Sequence, residues 1–448
     1  MAVQSEELLE KIRQQFDFGP YPRIPIESTP KNNLQDLFNH NLITPYYMRY
    51  QKLPKLAAPM ILDIGCGTGY KALELALANP SAQIVGIDIS AKSIELAQAR
   101  FAHHEQKNAE FRVLDVADLH LLGQKFDYIN CDELLYLFPN PAETLAIMAS
   151  VLQPEGIIRS NLHSSLQRAA FFRAQEMFQM MGLMDENPEE VEIELAIEIL
   201  KSIKPQVDLR QKTYSTDDAL DKEDMDQQVL MNLLFQGDKG YTISDLFNYL
   251  EEANLEFVSM LNPRQWEILE LVKDPNNLPV FLSMGLESIS IEERLHLYEL
   301  IHPRHRLLDF WCGHPIDETE AQGSITPISD WSEQDWLETL VHLHPQLKAE
   351  KVKTHIIEAA TQSRGCNLGQ FLPLTTGAVS EWNAAMAAVL LPLWERPHRF
   401  PELVEHWLKI HPVDFVTSEP ISHEKAAFDL RQFLTALEIY LYVLLEHT

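Results

Sequence analysis

The sequence predicts an α/β protein built on a mostly parallel sheet with helices on both faces. Three observations carry that expectation. Short β-rich apolar runs alternate with helical periods between residues 60 and 162. The first run ends in a glycine-rich turn, Asp63-Ile64-Gly65-Cys66-Gly67-Thr68-Gly69. Acidic residues, Asp88 and Asp115, stand at the ends of the next two runs. Alternation of this kind marks βαβ units, and their crossovers are right-handed.

Taken in order, residues 1–58 are expected to form a helix followed by a Pro- and Tyr-containing arm, FDFGPYPRIP and then ITPYYMRYQKLPKLAAP. MILDIGC (60–66) is a buried strand. YKALELALA (70–78) is a helix with an apolar stripe at Leu73, Ala76 and Leu77. QIVGIDI (83–89) is a second strand, and Ser90 caps the helix over 91–104. FRVLDVA (111–117), FDYINCD (126–132) and GIIRSNL (156–162) are the next strands. The helix PAETLAIMASVL (141–152) precedes the last of them.

The pattern then changes. Residues 164–240 read as a helical insertion, and 185–226 hold fourteen acidic and five basic residues. That charge run is a solvated face or a docking surface for a basic partner. Residues 241–314 return to the sheet, with a helix and strand over 241–261 and a final strand at 305–312. The polar stretch GHPIDETEAQGS (313–324) marks a boundary, and 315–448 form a mostly helical C-terminal domain ending in an apolar helix over 428–445.

At 448 residues the chain has room for two or three domains. Lys and Arg number 36 and Asp and Glu 66, a net charge of −30. Such an acidic balance argues against nucleic acid and against an anionic membrane surface. The four cysteines form no CxxC pair, which suits a reducing compartment. Neither a signal-type leader nor an apolar stretch of spanning length stands out, so a cytoplasmic location is expected.

The glycine turn lets a ligand approach the backbone closely, and it opens a helix whose free N–H groups face that ligand. A carboxylate at Asp88 suits two ribose hydroxyls. A dinucleotide fingerprint, GxGxxG, would place its last glycine at Tyr70, so that match fails. Asp63, two residues before the first glycine, would repel a pyrophosphate. It suits a ligand that carries an ammonium and a sulfonium.

The stretches LDIGCGTG (62–69), GIDIS (86–90), LDVADL (114–119), FDYINCDELLYLFPNP (126–141) and VLQPEGII (151–158) together resemble the class I S-adenosylmethionine-dependent methyltransferases. The resemblance covers roughly residues 55–165. It implies a Rossmann-like, mostly parallel sheet of seven strands, with S-adenosylmethionine as cofactor. It also implies residue roles. Asp63, Gly65, Cys66, Gly67 and Gly69 would hold the amino-acid and sulfonium end. Asp88 would take the ribose, Ile89 would pack on the adenine, and Asp115 and Val116 would meet its edge and face. Asn130, Cys131 and Asp132 would line the pocket near the methyl group.

Methyl transfer from a sulfonium needs alignment first and a base only if the acceptor loses a proton. His163, Asp132 and Glu133 are candidate bases. Tyr136 faces the acceptor or packs in the apolar run around it. Cys66 and Cys131 read as small residues that fit. His302, His305, Cys312 and His314 lack the ligand pairing of a zinc site, and no metal is expected. Tyr21, Arg23, Tyr46, Tyr47 and Arg49 of the arm would shield the site or pack on the sheet edge. The acceptor is a protein side chain or a small metabolite, and the helical regions suit a homodimer contact. A binding protein without turnover is the alternative. Calorimetry is expected to show saturable binding of S-adenosylhomocysteine and none of NAD.

Overall fold

The computed structural model describes residues 10–11, 13–14, 21–214, 222–316, 326–372, 382–414 and 417–447. Residues 16–20 of the arm and 317–324 of the polar stretch lie outside the described residues.

Two short helices, α1 (Leu34–Asn39) and α2 (Ile43–Tyr50), lead into the sheet. There follow β1 (Met60–Ile64), α3 (Tyr70–Ala78), β2 (Gln83–Asp88), α4 (Ala91–His103), β3 (Ala109–Val113), β4 (Phe126–Cys131), α5 (Pro141–Ser150) and β5 (Leu152–His163). The insertion supplies α6 (Ala169–Met180), α7 (Glu190–Ser202), α8 (Asp208–Thr213) and α9 (Lys222–Leu233). The chain returns through α10 (Ile243–Glu252), β6 (Glu256–Met260), α11 (Val280–Ser288), α12 (Ile291–Ile301) and β7 (Leu307–Gly313).

The seven strands lie in the order β3-β2-β1-β4-β5-β7-β6. The first five are parallel, and β7 runs antiparallel to both its neighbours. Period-two alternation splits the strand side chains between two cores. Leu62, Ile64, Val85 and Ile87 pack on one face with α5 and α10. Ile61, Ile84, Tyr128, Ile157 and Trp311 pack on the other with α3. Both faces are covered, which explains why the strands read as apolar runs. As expected, the Ser90 hydroxyl accepts from the Ser93 N–H, at 3.1 Å, and caps α4.

The third strand is shorter than its sequence suggests. It stops at Val113, and Asp115 instead caps a 3₁₀ turn over 116–122 by accepting from the Ala117 N–H at 2.9 Å.

The C-terminal region departs further from expectation. It contains β8 (Thr339–Leu343), α13 (Glu350–Gln362), β9 (His398–Arg399), α14 (Phe400–Ile410), α15 (His423–Glu438) and β10 (Val443–His447). The three strands form an antiparallel sheet in the order β10-β8-β9. The apolar stretch expected as one helix over 428–445 therefore divides. The helix ends at Glu438, Leu441 takes a left-handed backbone conformation (φ 54°), and Val443 to Leu445 pair with β8 at zero exposure. A short apolar run buried on both faces reads alike as a strand or as the end of a buried helix, so periodicity alone does not separate the two.

Helix α1 joins the two regions. Leu34 and Phe38 belong to the C-terminal core, not to the cores of the seven-stranded sheet. Around them, Thr44 Oγ1 lies 3.0 Å from His344 Nε2. Tyr47 donates to Glu438 at 3.0 Å and accepts from the Leu445 N–H at 3.0 Å. Asn41 and Gln346 both donate to the carbonyl of Ala78 at the end of α3. Burial holds His344 down to about 3, so this joint carries a neutral imidazole. Phe38→Ala is expected to cost about 3–5 kcal/mol, read by chemical denaturation. A cost near zero would contradict this packing.

Candidate functional site

A cavity of about 470 Å³ opens at the carboxyl ends of β1, β2 and β4. That size falls within the range of small-molecule sites. Its wall takes Gly65, Cys66 and Gly67 from the turn after β1, Asp88 and Ile89 from the end of β2, and Asp115 and Val116 from beyond β3. Asp132, Glu133 and Leu134 follow β4, while Tyr70, Lys71 and Glu74 come from α3. Tyr21, Pro22 and Ile24 of the arm and Asp36 of α1 close the remaining side.

The turn is held by its neighbours. The Cys66 N–H donates to the Ile87 carbonyl at 3.0 Å. The Gly67 N–H donates to Asp88 Oδ2 at 3.0 Å, and the Ser90 N–H to Asp88 Oδ1 at 2.8 Å. Gly67 has φ +51°, and a Cβ there would lie 2.2 Å from the Tyr21 carbonyl oxygen. Only glycine fits that approach.

Hydrogen bonds pin the arm onto this turn. Thr68 donates from its N–H to the Tyr21 carbonyl at 3.1 Å and from its hydroxyl to the Pro22 carbonyl at 2.9 Å. Arg100 of α4, fully buried, donates to the carbonyls of Thr68, Ile24 and Pro25 at 2.7–2.9 Å. Of the arm residues expected at the site, only Tyr21 lines the cavity. Arg23 is exposed. Tyr46 donates to Glu155, Tyr47 docks on the C-terminal sheet, and Arg49 pairs with Glu256 and the His314 carbonyl. Those three serve the joints between elements.

Several other expected residues stand behind the wall. Asp63 is 1% exposed. Its Oδ1 accepts from Asn130 Nδ2 at 2.8 Å, and its Oδ2 has no hydrogen-bond partner. Burial pushes the Asp63 carboxyl up to about 7. Asn130 and Cys131 are wholly buried, and Gly69 lies outside the wall at the head of α3. Burial raises the Cys66 thiol well above its usual value and the Cys131 thiol to about 12, so neither is a thiolate at neutral pH.

Asp132 does line the cavity, but two cations and an imidazole surround it. Lys71 Nζ lies 3.5 Å away, Arg159 3.6 Å and His40 Nε2 3.9 Å. Burial alone would raise this carboxyl, yet Arg159 and Lys71 outweigh it and hold Asp132 well below the usual range. So held, it is a poor proton acceptor.

His163 and Tyr136, expected at the acceptor side, do not line the cavity. They stack on each other with ring centroids 3.7 Å apart. His163 Nδ1 bonds Asp238 Oδ1 at 2.6 Å, and its Nε2 lies 3.1 Å from an Arg306 nitrogen. An arginine can only donate, so Nε2 accepts and Nδ1 carries the proton. Burial lowers the His163 pKa, which keeps this ring neutral. Its lone pair is already engaged, which removes it as a base.

Lys71, Glu74 and Asp36 were not anticipated. Lys71 and Glu74 stand one turn apart in an otherwise apolar helix, and their side chains lie 3.1 Å from each other. A carboxylate within an apolar stripe was the available signal.

The donor set fits an adenosyl sulfonium. Close backbone approach at Gly67, paired amides on Asp88 and an acid-lined wall suit a cation with a ribose. Residues 57–253 match the family model described as "Methyltransferase domain". The chain carries a class I S-adenosylmethionine-dependent methyltransferase domain. Its cofactor is S-adenosylmethionine. An uncharacterised protein from Synechococcus is 26% identical over 348 residues, 77% of this chain and 78% of that one. The ubiquinone biosynthesis O-methyltransferase of Coxiella burnetii is 33% identical over 117 residues, 26% of this chain and 49% of its own length. The chain thus spans about half of that named relative. PKMT2 from Rickettsia typhi has the same fold, with a TM-score of 0.58 and 18% identity over 92% of this chain and 76% of that one. Among the described residues, no helix is long and apolar enough to cross a membrane.

The raised Asp63 carboxyl gives a pH test. Its folded-state pKa lies above the unfolded value of about 3.9. Its contribution is therefore complete below that value and is lost as pH rises through 7. Asp63→Asn is expected to remove on the order of 2–4 kcal/mol of that decline between pH 4 and 8. Denaturant unfolding across that range measures it.

Proposed function

We propose that the chain transfers a methyl group to a nucleophile that enters the cavity on the side of Tyr21 and Glu133. The acceptor is a protein side chain or a small metabolite. The observation that carries this reading is the Gly67–Asp88 hydrogen bond at the head of an enclosed, acid-lined cavity.

When bound, S-adenosylmethionine supplies a methyl group already activated on sulfur. The residues around it have separate tasks. Asp88 keeps acceptor capacity on both oxygens for the ribose hydroxyls. Ile89 and Val116 offer apolar surface to the base, and Asp115 offers an acceptor to its edge. The amides of the 65–69 turn and the Asp63–Asn130 pair beneath it shape the amino-acid end. Tyr21, Pro22 and Ile24 exclude water, which strengthens the electrostatic interactions inside. The insertion bears on this side of the site indirectly: its Asp238 bonds His163, and Arg168 bonds Asp238.

Alignment of nucleophile, methyl and sulfur supplies several kcal/mol of the acceleration in such a site. Incubation of the purified chain with methyl-labelled cofactor and a clarified bacterial extract is expected to label an acceptor. Asp88→Asn is expected to lower the rate and the S-adenosylhomocysteine affinity together, by at least tenfold. Saturable cofactor binding without any label would favour a binding protein without turnover.

A further inference from the structure

We infer that Glu133 meets the acceptor and takes its proton, and that Arg306 is the positioning residue that aims it. This inference rests on the transferase reading above.

Glu133 lines the cavity beside Leu134 and close to Tyr21, beyond the residues suited to the nucleoside. Its backbone is left-handed, with φ 57° in a residue that is not glycine. Such a conformation persists only where the surroundings impose it, and it concentrates at functional positions. Here the imposition is visible. The Glu133 N–H donates to Asn161 Oδ1 at 2.9 Å, and Asn161 Nδ2 donates to Asp132 Oδ1 at 2.6 Å. The backbone at 133 is thereby locked from β5.

The side chain is held separately. Its carboxylate pairs with Arg306. Behind Arg306 runs a buried chain: a second guanidinium nitrogen donates to His163 Nε2 at 3.1 Å, His163 donates to Asp238 at 2.6 Å, and Asp238 accepts from Arg168 at 2.8 Å. His163, Asp238 and Arg168 are at most 2% exposed. The chain anchors one end of the carboxylate and leaves the other open, for the Glu133 side chain remains 27% exposed.

Three neighbouring acids fail the same requirements. Asp132 is enclosed by Lys71, Arg159 and His40, and is 6% exposed. Asp63 lies behind the wall, and Asp88 holds the turn. Glu133 is the cavity carboxylate with one strong partner, a reachable edge and a fixed backbone.

The step balances as follows. A lone pair on the acceptor oxygen or nitrogen forms the new bond to the methyl carbon. The carbon–sulfur bond breaks with its electron pair going to sulfur, which neutralises the sulfonium. The proton of the acceptor passes to the Glu133 carboxylate and then to water at its exposed edge. The acceptor is accordingly an O–H or N–H nucleophile, and not a thioether or a deprotonated carboxylate.

The test uses the full chain, methyl-labelled S-adenosylmethionine and a clarified bacterial extract. Glu133→Gln is expected to lower the maximal labelling rate about 100-fold or more. The half-saturating cofactor concentration, the S-adenosylhomocysteine affinity and the melting temperature should stay near those of the wild type. Glu133→Asp should recover part of the rate. Arg306→Lys should retain more rate than Arg306→Ala, because a positioned cation is preserved. Labelling by Glu133→Gln at the wild-type rate would overturn the inference. So would a rate loss matched by an equal loss of S-adenosylhomocysteine affinity, which would place Glu133 among the cofactor contacts. If the wild type itself labels nothing while binding the cofactor, the transferase reading falls, and this inference with it.

Discussion

One hydrogen bond organises the site. The Gly67 amide donates to the Asp88 carboxylate, which ties the turn after β1 to the end of β2. The bond is charge-assisted and therefore stronger than a neutral one. It also sets the path of the turn, and the turn in turn sets the arm. Tyr21 passes so close to Gly67 that no side chain fits between them. Arg100 then fastens the arm from the far side, through three carbonyls. Cofactor pocket and cover are thus one assembly, positioned by the same two strands.

Beneath the cavity lies a dense set of charges. Asp132, Glu74 and Asp309 alternate with Lys71 and Arg159, with the His40 imidazole among them; they come from α3, β5, β7 and the residues just past β4 and α1. Buried ion pairs seldom add net stability, because desolvation offsets most of the attraction. Removing one member is another matter, since it strands a charge. The network therefore acts as a lock on relative placement. It forces α1, the sheet and α3 into one arrangement, with Asp36 and Lys71 facing the cavity on the near side.

The fold was largely legible in the sequence. Strands β1, β2 and β4 and their helices follow from apolar runs of characteristic length, and the glycine turn with Asp88 located the cavity. Local pattern says less about the second rank of residues. Asp63, Asn130 and Cys131 sit in a motif, yet they lie inside their strands, short of the residues that form the wall, and are buried. His163 follows a strand end as a base would, but its partners Asp238 and Arg306 come from distant segments that no periodicity links to it. The strand β10 hid in an apolar stretch long enough for a helix, because its partner β8 lies a hundred residues earlier. Long-range pairing decides these cases, and it leaves no local mark.

The placement of Leu34 and Phe38 has a consequence for biosynthesis. These two side chains are synthesised well before the core that receives them is complete, for it also needs β8, α15 and β10. Until residues 443–447 have been made, that core lacks its edge strand. The nascent Rossmann-like sheet can form meanwhile, whereas α1 waits without its apolar partners. Because Asp36 on the same helix closes one side of the cavity, a competent pocket is completed only after synthesis has passed through the C-terminal sheet. Partially translated chains would thus hold a sheet but not a finished binding site.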